Sequence, residues 1–301
     1  MKKVLFILIF IFLIICSCLY PEVAFEASKQ GILTWFHQIL PALLPFTILS
    51  GILLRSKYMD SFGRSSNLLS ITLTMICGFV FGFPIGAKLS SDFYKHNLLH
   101  QKQAIILAIT ANNFSTMYVC GYVLPTLFPN KNYRTITYTI LYLLPLIIGV
   151  FLLFYTTQKA TTEIQKNSAS RFQLDMQIID AGIISGFESL IKICGYIVMF
   201  SLISQMIRHF LHSDATIFIV LLGNLEITNG IQLLSQSNHL SIQSKYLIAI
   251  QLLAFGGISG LAQTASILKP SGLSVKHYVI GKILLSSISV LLLLLCFNIY
   301  N

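Results

Sequence analysis

The chain has 301 residues, with twenty Lys and Arg against ten Asp and Glu, only 10% charged residues and a mean hydropathy of +0.78. A soluble globular domain carries about one quarter charged residues, so this composition excludes water as the main solvent. The net charge of +10 is spread over short loops between apolar runs, a pattern selected by the positive-inside rule and anionic headgroups and not by nucleic acid.

Apolar segments run over residues 4–20, 31–53, 67–87, 103–125, 135–156, 181–210, 216–235, 246–268 and 278–299; about 20 helical residues cross a hydrocarbon core. The first, MKK followed by a run ending in IICSC, resembles a signal sequence, and Ile15–Cys18 resembles a lipoprotein cleavage box. We expect an uncleaved helix followed by an outer loop to residue 30. The third segment is interrupted by Gly78, Gly82, Pro84 and Gly86, and the seventh by Gly223, Asn224, Glu226, Asn229 and Gly230. Backbone that leaves the helix at membrane depth survives only where protein or a water-filled cavity covers it, so both read as re-entrant hairpins.

Charge placement agrees. With two re-entrant hairpins and a cytoplasmic amino terminus, the inner loops hold Lys2, Lys3, Arg55, Lys57, Arg64, Lys88, Lys95, Lys102, Lys159, Lys166, Arg171, Lys269 and Lys276, leaving Lys29, Lys131, Arg134, Arg208 and Lys245 outside. Full crossings would nearly erase this asymmetry. An offset of 144 residues places Gly86 on Gly230, Asn112-Asn113 on Gly256-Gly257 and Ser115 on Ser259; an offset about ten larger places Gly31 on Gly186. The expected organisation is an amino-terminal unit 1–30, a first repeat 31–156, a cytoplasmic linker 157–180 and a second repeat 181–301. Each repeat holds three full crossings, so the second lies inverted, as in many secondary transporters.

Candidate site residues fall on the interruptions. Gly78, Gly82 and Gly86 make a flat stripe on a helix, with Pro84 freeing a carbonyl and Lys88 at its end; a kinked packing helix explains the same spacing. In NLEITNG, Asn224, Glu226, Thr228 and Asn229 break an apolar run. Glu226 reads as the ligand for an ion, proton or polar group, or else as a solvated residue at the outer interface. Asn112, Asn113 and Ser115, and then Gly256, Gly257, Ser259, Gly260 and Gln263, offer amides, hydroxyls and approachable carbonyls to a small polar solute. Interhelical hydrogen bonding is the alternative. Glu188 and Lys192 have the spacing of a local ion pair. The six cysteines read as reduced packing residues, and neither cofactor nor metal is expected.

At GFPIGAK, Gly82–Lys88, the chain resembles the YlbJ family of sporulation integral membrane proteins and the wider nucleoside recognition or Gate domain family. The likeness continues through ANNFS, LEITNG and FGGISGLAQ in the same order. It implies an all-α polytopic fold related to concentrative nucleoside transporters and the gate region of ferrous iron transporters, and a spore-forming source. The expectation is a multi-pass cell membrane protein that carries a small polar solute, nucleoside-like or ionic, during sporulation. The alternative is a non-transporting structural or assembly component of the spore membrane. Its partners are the lipid bilayer and a solute or coupling ion, with homo-oligomerisation left open. Gly257–Gly260 matches a GxSG pattern, but Ser259 has only His277 downstream as a base, so no enzyme is expected.

Overall fold

The computed structural model describes residues 2–56, 67–95, 97–129, 133–157, 175–211 and 215–300. Most of the linker, and the cations Lys57, Arg64, Lys131, Lys159, Lys166 and Arg171, lie outside the described residues. Every regular element among the described residues is helical. Helix α1 (Lys2–Leu19) meets α2 (Pro21–Thr34) at a bend of 108°. A π-helical stretch then leads into α3 (Leu40–Arg55). Residues 21–30, expected as a loop, are the first turns of α2. Pro21 supplies a preset φ and Glu22 complements the helix dipole.

Helices α4 (Asn67–Phe81) and α5 (Ile85–Lys95) form a first hairpin. Next come α6 (Gln101–Thr110) and α7 (Thr116–Leu127), then α8, which runs from Arg134 to Thr157 through a π-helical middle. After the 36-residue α9 (Met176–Leu211), α10 (Thr216–Leu225) and α11 (Ile227–Gln236) form a second hairpin. The chain ends with α12 (Ile242–Phe255), α13 (Gly257–Leu268) and α14 (Val275–Tyr300). Thus the order long helix, hairpin, interrupted helix, long helix occurs in residues 21–157 and again in 176–300.

Among the described residues four helices are long and apolar enough to span a membrane, Arg134–Thr156, Met176–Leu211, Ile242–Ser271 and Val275–Phe297; the bent pair of α1 and α2 would make a fifth. The expected crossing at 103–125 is not one helix but two short ones separated by 111–115. The Asn113 amide donates to the Thr110 carbonyl at 2.7 Å, the acceptor a continuing helix would give to residue 114. Ser115 then restarts the helix by accepting from the Tyr118 N–H at 3.2 Å.

Large exposed apolar side chains, among them Phe10, Phe12, Phe151, Phe154, Leu291 and Leu295, line the outside, while Thr74, Asn112, Thr137, Glu226 and Lys282 are buried. That inside-out distribution suits a multi-pass protein in lipid. One buried apolar cluster joins the second hairpin to α7 and α12; another joins the first hairpin to the ends of α13 and α14. The long elements α2–α3 and α9 cross on glycines: a Cβ on Gly51 would sit 2.8 Å from the Gly182 carbonyl, and one on Gly31 would sit 3.2 Å from the Val198 Cα.

A Cβ on Gly182 would meet the Ile52 N at 2.9 Å, whereas one on Gly195 of the same helix meets nothing within 4 Å. Gly182→Val should therefore destabilise the protein by about 1–3 kcal/mol. Gly195→Ala should leave the midpoint unchanged or raised, since alanine is the better helix former by roughly 1 kcal/mol. Thermal unfolding in detergent compares the two.

Candidate functional site

The first hairpin turns at Gly82, whose φ of +73° favours glycine. Its tip docks on the interruption between α6 and α7, with the Phe83 N–H donating to the Asn113 carbonyl at 2.6 Å. Gly78 and Gly86 lie against the Ala111 carbonyl, and Gly82 lies against the Ser115 backbone, so the glycine stripe lets hairpin and interruption touch main chain to main chain. Behind it, Asn112 Oδ1 accepts from the Ala87 N–H at 3.3 Å. Asn112 Nδ2 donates to Thr264 Oγ1 and Tyr278 Oη at 3.3 and 3.2 Å. The Lys282 ammonium donates to the Asn112 carbonyl at 2.8 Å and to Asn113 Oδ1 at 3.2 Å, and Tyr142 Oη donates to the Phe114 carbonyl at 2.9 Å.

The second hairpin turns at Glu226, which is buried rather than solvated at an interface. Its extended backbone ends α10, and its side chain caps α11: Oε2 accepts from the Asn229 N–H at 2.8 Å and from the Thr228 hydroxyl. Asn229 Nδ2 donates to Ser201 Oγ on α9 at 2.9 Å. Asn224 and Gln251 exchange amide hydrogen bonds at 3.2 and 3.0 Å, tying α10 to α12. Between α12 and α13 the chain passes through Gly256 and Gly257, with φ of +91° and +65°, a succession side-chain-bearing residues rarely adopt. Gln263 Nε2 then donates to Ser259 Oγ at 3.3 Å.

Both hairpin tips and both interruptions meet at one cavity of about 50 Å³. Phe83 comes from the first tip and Glu226 and Thr228 from the second. Phe114, Ser115 and Tyr118 come from the first interruption, and Gly256, Ser259 and Gln263 from the second. Ile39, Leu43, Ile193 and Ile197 close it with apolar surface. Glu226 is the one charged residue among those lining it. Oε2 is committed to the cap of α11. Tyr118 Oη and Gln263 Oε1 are buried and unpartnered. An unmet buried polar atom costs about 1–3 kcal/mol, so these atoms mark the cavity as a place for polar contents. Ordered water needs roughly 10–15 Å³ a molecule and benzene fits a cavity of about 150 Å³, so this conformation suits a few waters or an ion.

Of the residues read from the sequence, Ser115, Glu226, Thr228, Ser259 and Gln263 line this cavity. Gly82, Pro84 and Gly86 do not line it; they shape the hairpin behind Phe83. Asn112 and Asn113 face the Lys282 network instead. Lys88 is half-buried and donates to Ser185 Oγ at 3.4 Å. Asn229 lines a separate polar cleft of about 650 Å³ between α2, α9 and α11, where the buried Ser204 hydroxyl is likewise unpartnered. His277 bonds Ser274 Oγ at 2.7 Å and does not line the Ser259 cavity. Glu188 and Lys192 form no ion pair within 4 Å. Sequence reading missed Tyr118 and Lys282. Lys282 was signalled as an ionisable residue inside an apolar run; Tyr118 carried no signal that separates it from a core aromatic.

Compared with known proteins, the chain is similar to the sporulation integral membrane protein YlbJ of Bacillus subtilis (strain 168), with 26% identity over 321 aligned positions that span 91% of this chain and 78% of the relative. That similarity supports the family carried by the GFPIGAK motif. No protein-family model matches the chain, and no solved structure matches it.

The unpartnered hydroxyl yields a contrast. Tyr118→Phe should hold or raise the thermal midpoint, because it removes an unmet polar atom. Thr264→Val should cost about 1–2 kcal/mol, because it removes a hydroxyl that bonds Asn112 and Tyr278. Unfolding of the two variants in one detergent tests this.

Proposed function

We propose that this relative of a sporulation membrane protein carries a small polar solute or a monovalent cation across the cell membrane of a spore-forming bacterium, through the cavity beside Glu226. The observation that carries the reading is the convergence of four non-helical segments on buried, unmet polar atoms. Discontinuous segments in corresponding positions are where secondary transporters bind their substrates. Because Glu226 is the only charged residue lining the cavity among the described residues, its content is a cation, a proton or a solute with a positive or donor-rich end.

In this reading the two halves are an inverted repeat with an odd number of crossings each, the hairpins re-enter the membrane, and the amino terminus is cytoplasmic. Reciprocal packing supports the repeat. Hairpin arm α5 packs on α13 of the other half, and its counterpart α11 packs on α7. Such an exchange is what a pseudo-two-fold axis produces, and it agrees with the Gate-type relation implied by the motif. The polar cleft at Asn229 supplies the approach: Asn229 faces the cleft with its side chain and bonds Glu226 with its backbone N–H.

One observation favours the non-transporting alternative. Glu226 already has a structural task as the cap of α11, and the cavity would then hold structural water. Glu226→Gln separates the two readings, since glutamine can still accept the Asn229 N–H. In proteoliposomes assayed with sodium, potassium, amino acids and nucleosides, the carrier reading expects a flux that Glu226→Gln lowers at least about tenfold, a change of about 1.4 kcal/mol, with the midpoint kept. Intact wild-type protein with no flux for any of these overturns it in favour of a structural component.

A further inference from the structure

Lys282 lies seven residues into α14, about 10 Å from its first turn, and is 2% exposed. No carboxylate among the described residues lies within ion-pair distance of its ammonium. A charged side chain at membrane depth costs about 2.5–3.5 kcal/mol on insertion scales and persists only where dipoles replace its water. Here the dipoles come from the end of α6. The Asn112 carbonyl at 2.8 Å and Asn113 Oδ1 at 3.2 Å accept from it. Both lie just past the carboxyl end of α6, where the helix dipole presents its negative pole. This is the donor set of a monovalent-cation site: a main-chain carbonyl, an amide oxygen and a helix carboxyl terminus, shielded from water.

We propose that the Lys282 ammonium is a tethered cation filling a monovalent-cation site at the first helix interruption, and that cutting the side chain back turns this position into a binding site for a free ammonium-type ion. The site is separate from the cavity beside Glu226: neither Lys282 nor Asn112 lines that cavity. The inference therefore stands whether or not the chain carries a solute. It also separates the two interruptions, one held by a lysine from another helix and the other built on paired glycines.

The test uses the full chain in detergent, with thermal unfolding measured in methylammonium, ethylammonium, potassium or choline chloride at equal ionic strength. Lys282→Ala should lower the midpoint in choline, and ethylammonium or methylammonium should restore at least half of that loss, saturably. Lys282→Met, which fills the space without charge, should lose stability and respond to no ion; wild type should be indifferent to the ion. A Lys282→Met variant as stable as wild type, or a Lys282→Ala variant that no ammonium ion restores, overturns the proposal.

Asn112→Asp gives a second arm that holds even if the lysine variants fail to fold. The Thr264 and Tyr278 hydroxyls can turn to donate to the new carboxylate, and a cation at Lys282 should compensate it, so the midpoint should hold or rise. A fall overturns the proposal.

Discussion

Backbone that leaves the helix at membrane depth has no water to bond, and the segment Asn112–Ser115 meets that constraint with donors from three other elements. Phe83 of the first hairpin donates to the Asn113 carbonyl, Lys282 of α14 to that of Asn112, and Tyr142 of α8 to that of Phe114. These partners are far apart in sequence, so the interruption cannot exist as a local feature of α6 and α7. It forms only when the hairpin, α8 and α14 have been brought around it. The glycine stripe belongs to the same requirement, because any Cβ on Gly78 or Gly86 would displace the main chain being satisfied.

The second interruption is solved differently. Gly256 and Gly257 turn through positive φ, and the neighbouring hairpin is fixed by side chains: Asn224 with Gln251, Asn229 with Ser201, and Glu226 with its own helix start. No buried ammonium is placed there among the described residues. The like order of elements thus hides a chemical asymmetry, with a buried lysine on one side and a carboxylate on the other. In the proposed carrier, the half anchored by the lysine is the natural scaffold. The half whose hairpin is held by amide and hydroxyl bonds beside the Glu226 cap, the neutral ones each worth about 0.6–2 kcal/mol in a membrane, is the one that can exchange partners.

Where the chain breaks was legible because Gly, Pro, Asn and Glu are conspicuous in apolar runs. The hairpins turn at Gly82–Pro84 and Glu226, and the interrupted helices part at Asn112–Ser115 and Gly256-Gly257. What those breaks do was less legible. Asn112 offers the same amide whether it faces a solute or Thr264, and spacing along one helix says nothing of which neighbour arrives. Lys282 stands inside an apolar run, but its depth depends on where α14 begins relative to its neighbours. The polar run PEVAFEASKQ looked like a loop because its helix is stabilised by packing on α9, a partner some 160 residues away.

Glu226 joins local structure to the cavity. Oε2 accepts from the Asn229 N–H and the Thr228 hydroxyl, and so sets where α11 begins. The same residue lines the cavity. A cation drawing on the carboxylate competes for charge with the cap, while a proton on it turns the cap's charge-assisted bonds into neutral ones without removing the acceptor. Asn229 is bonded at the same time to Ser201 on α9, so a weakened cap loosens the contact between the second hairpin and the longest helix. In the proposed carrier, occupancy beside Glu226 and docking of the hairpin are coupled through this residue.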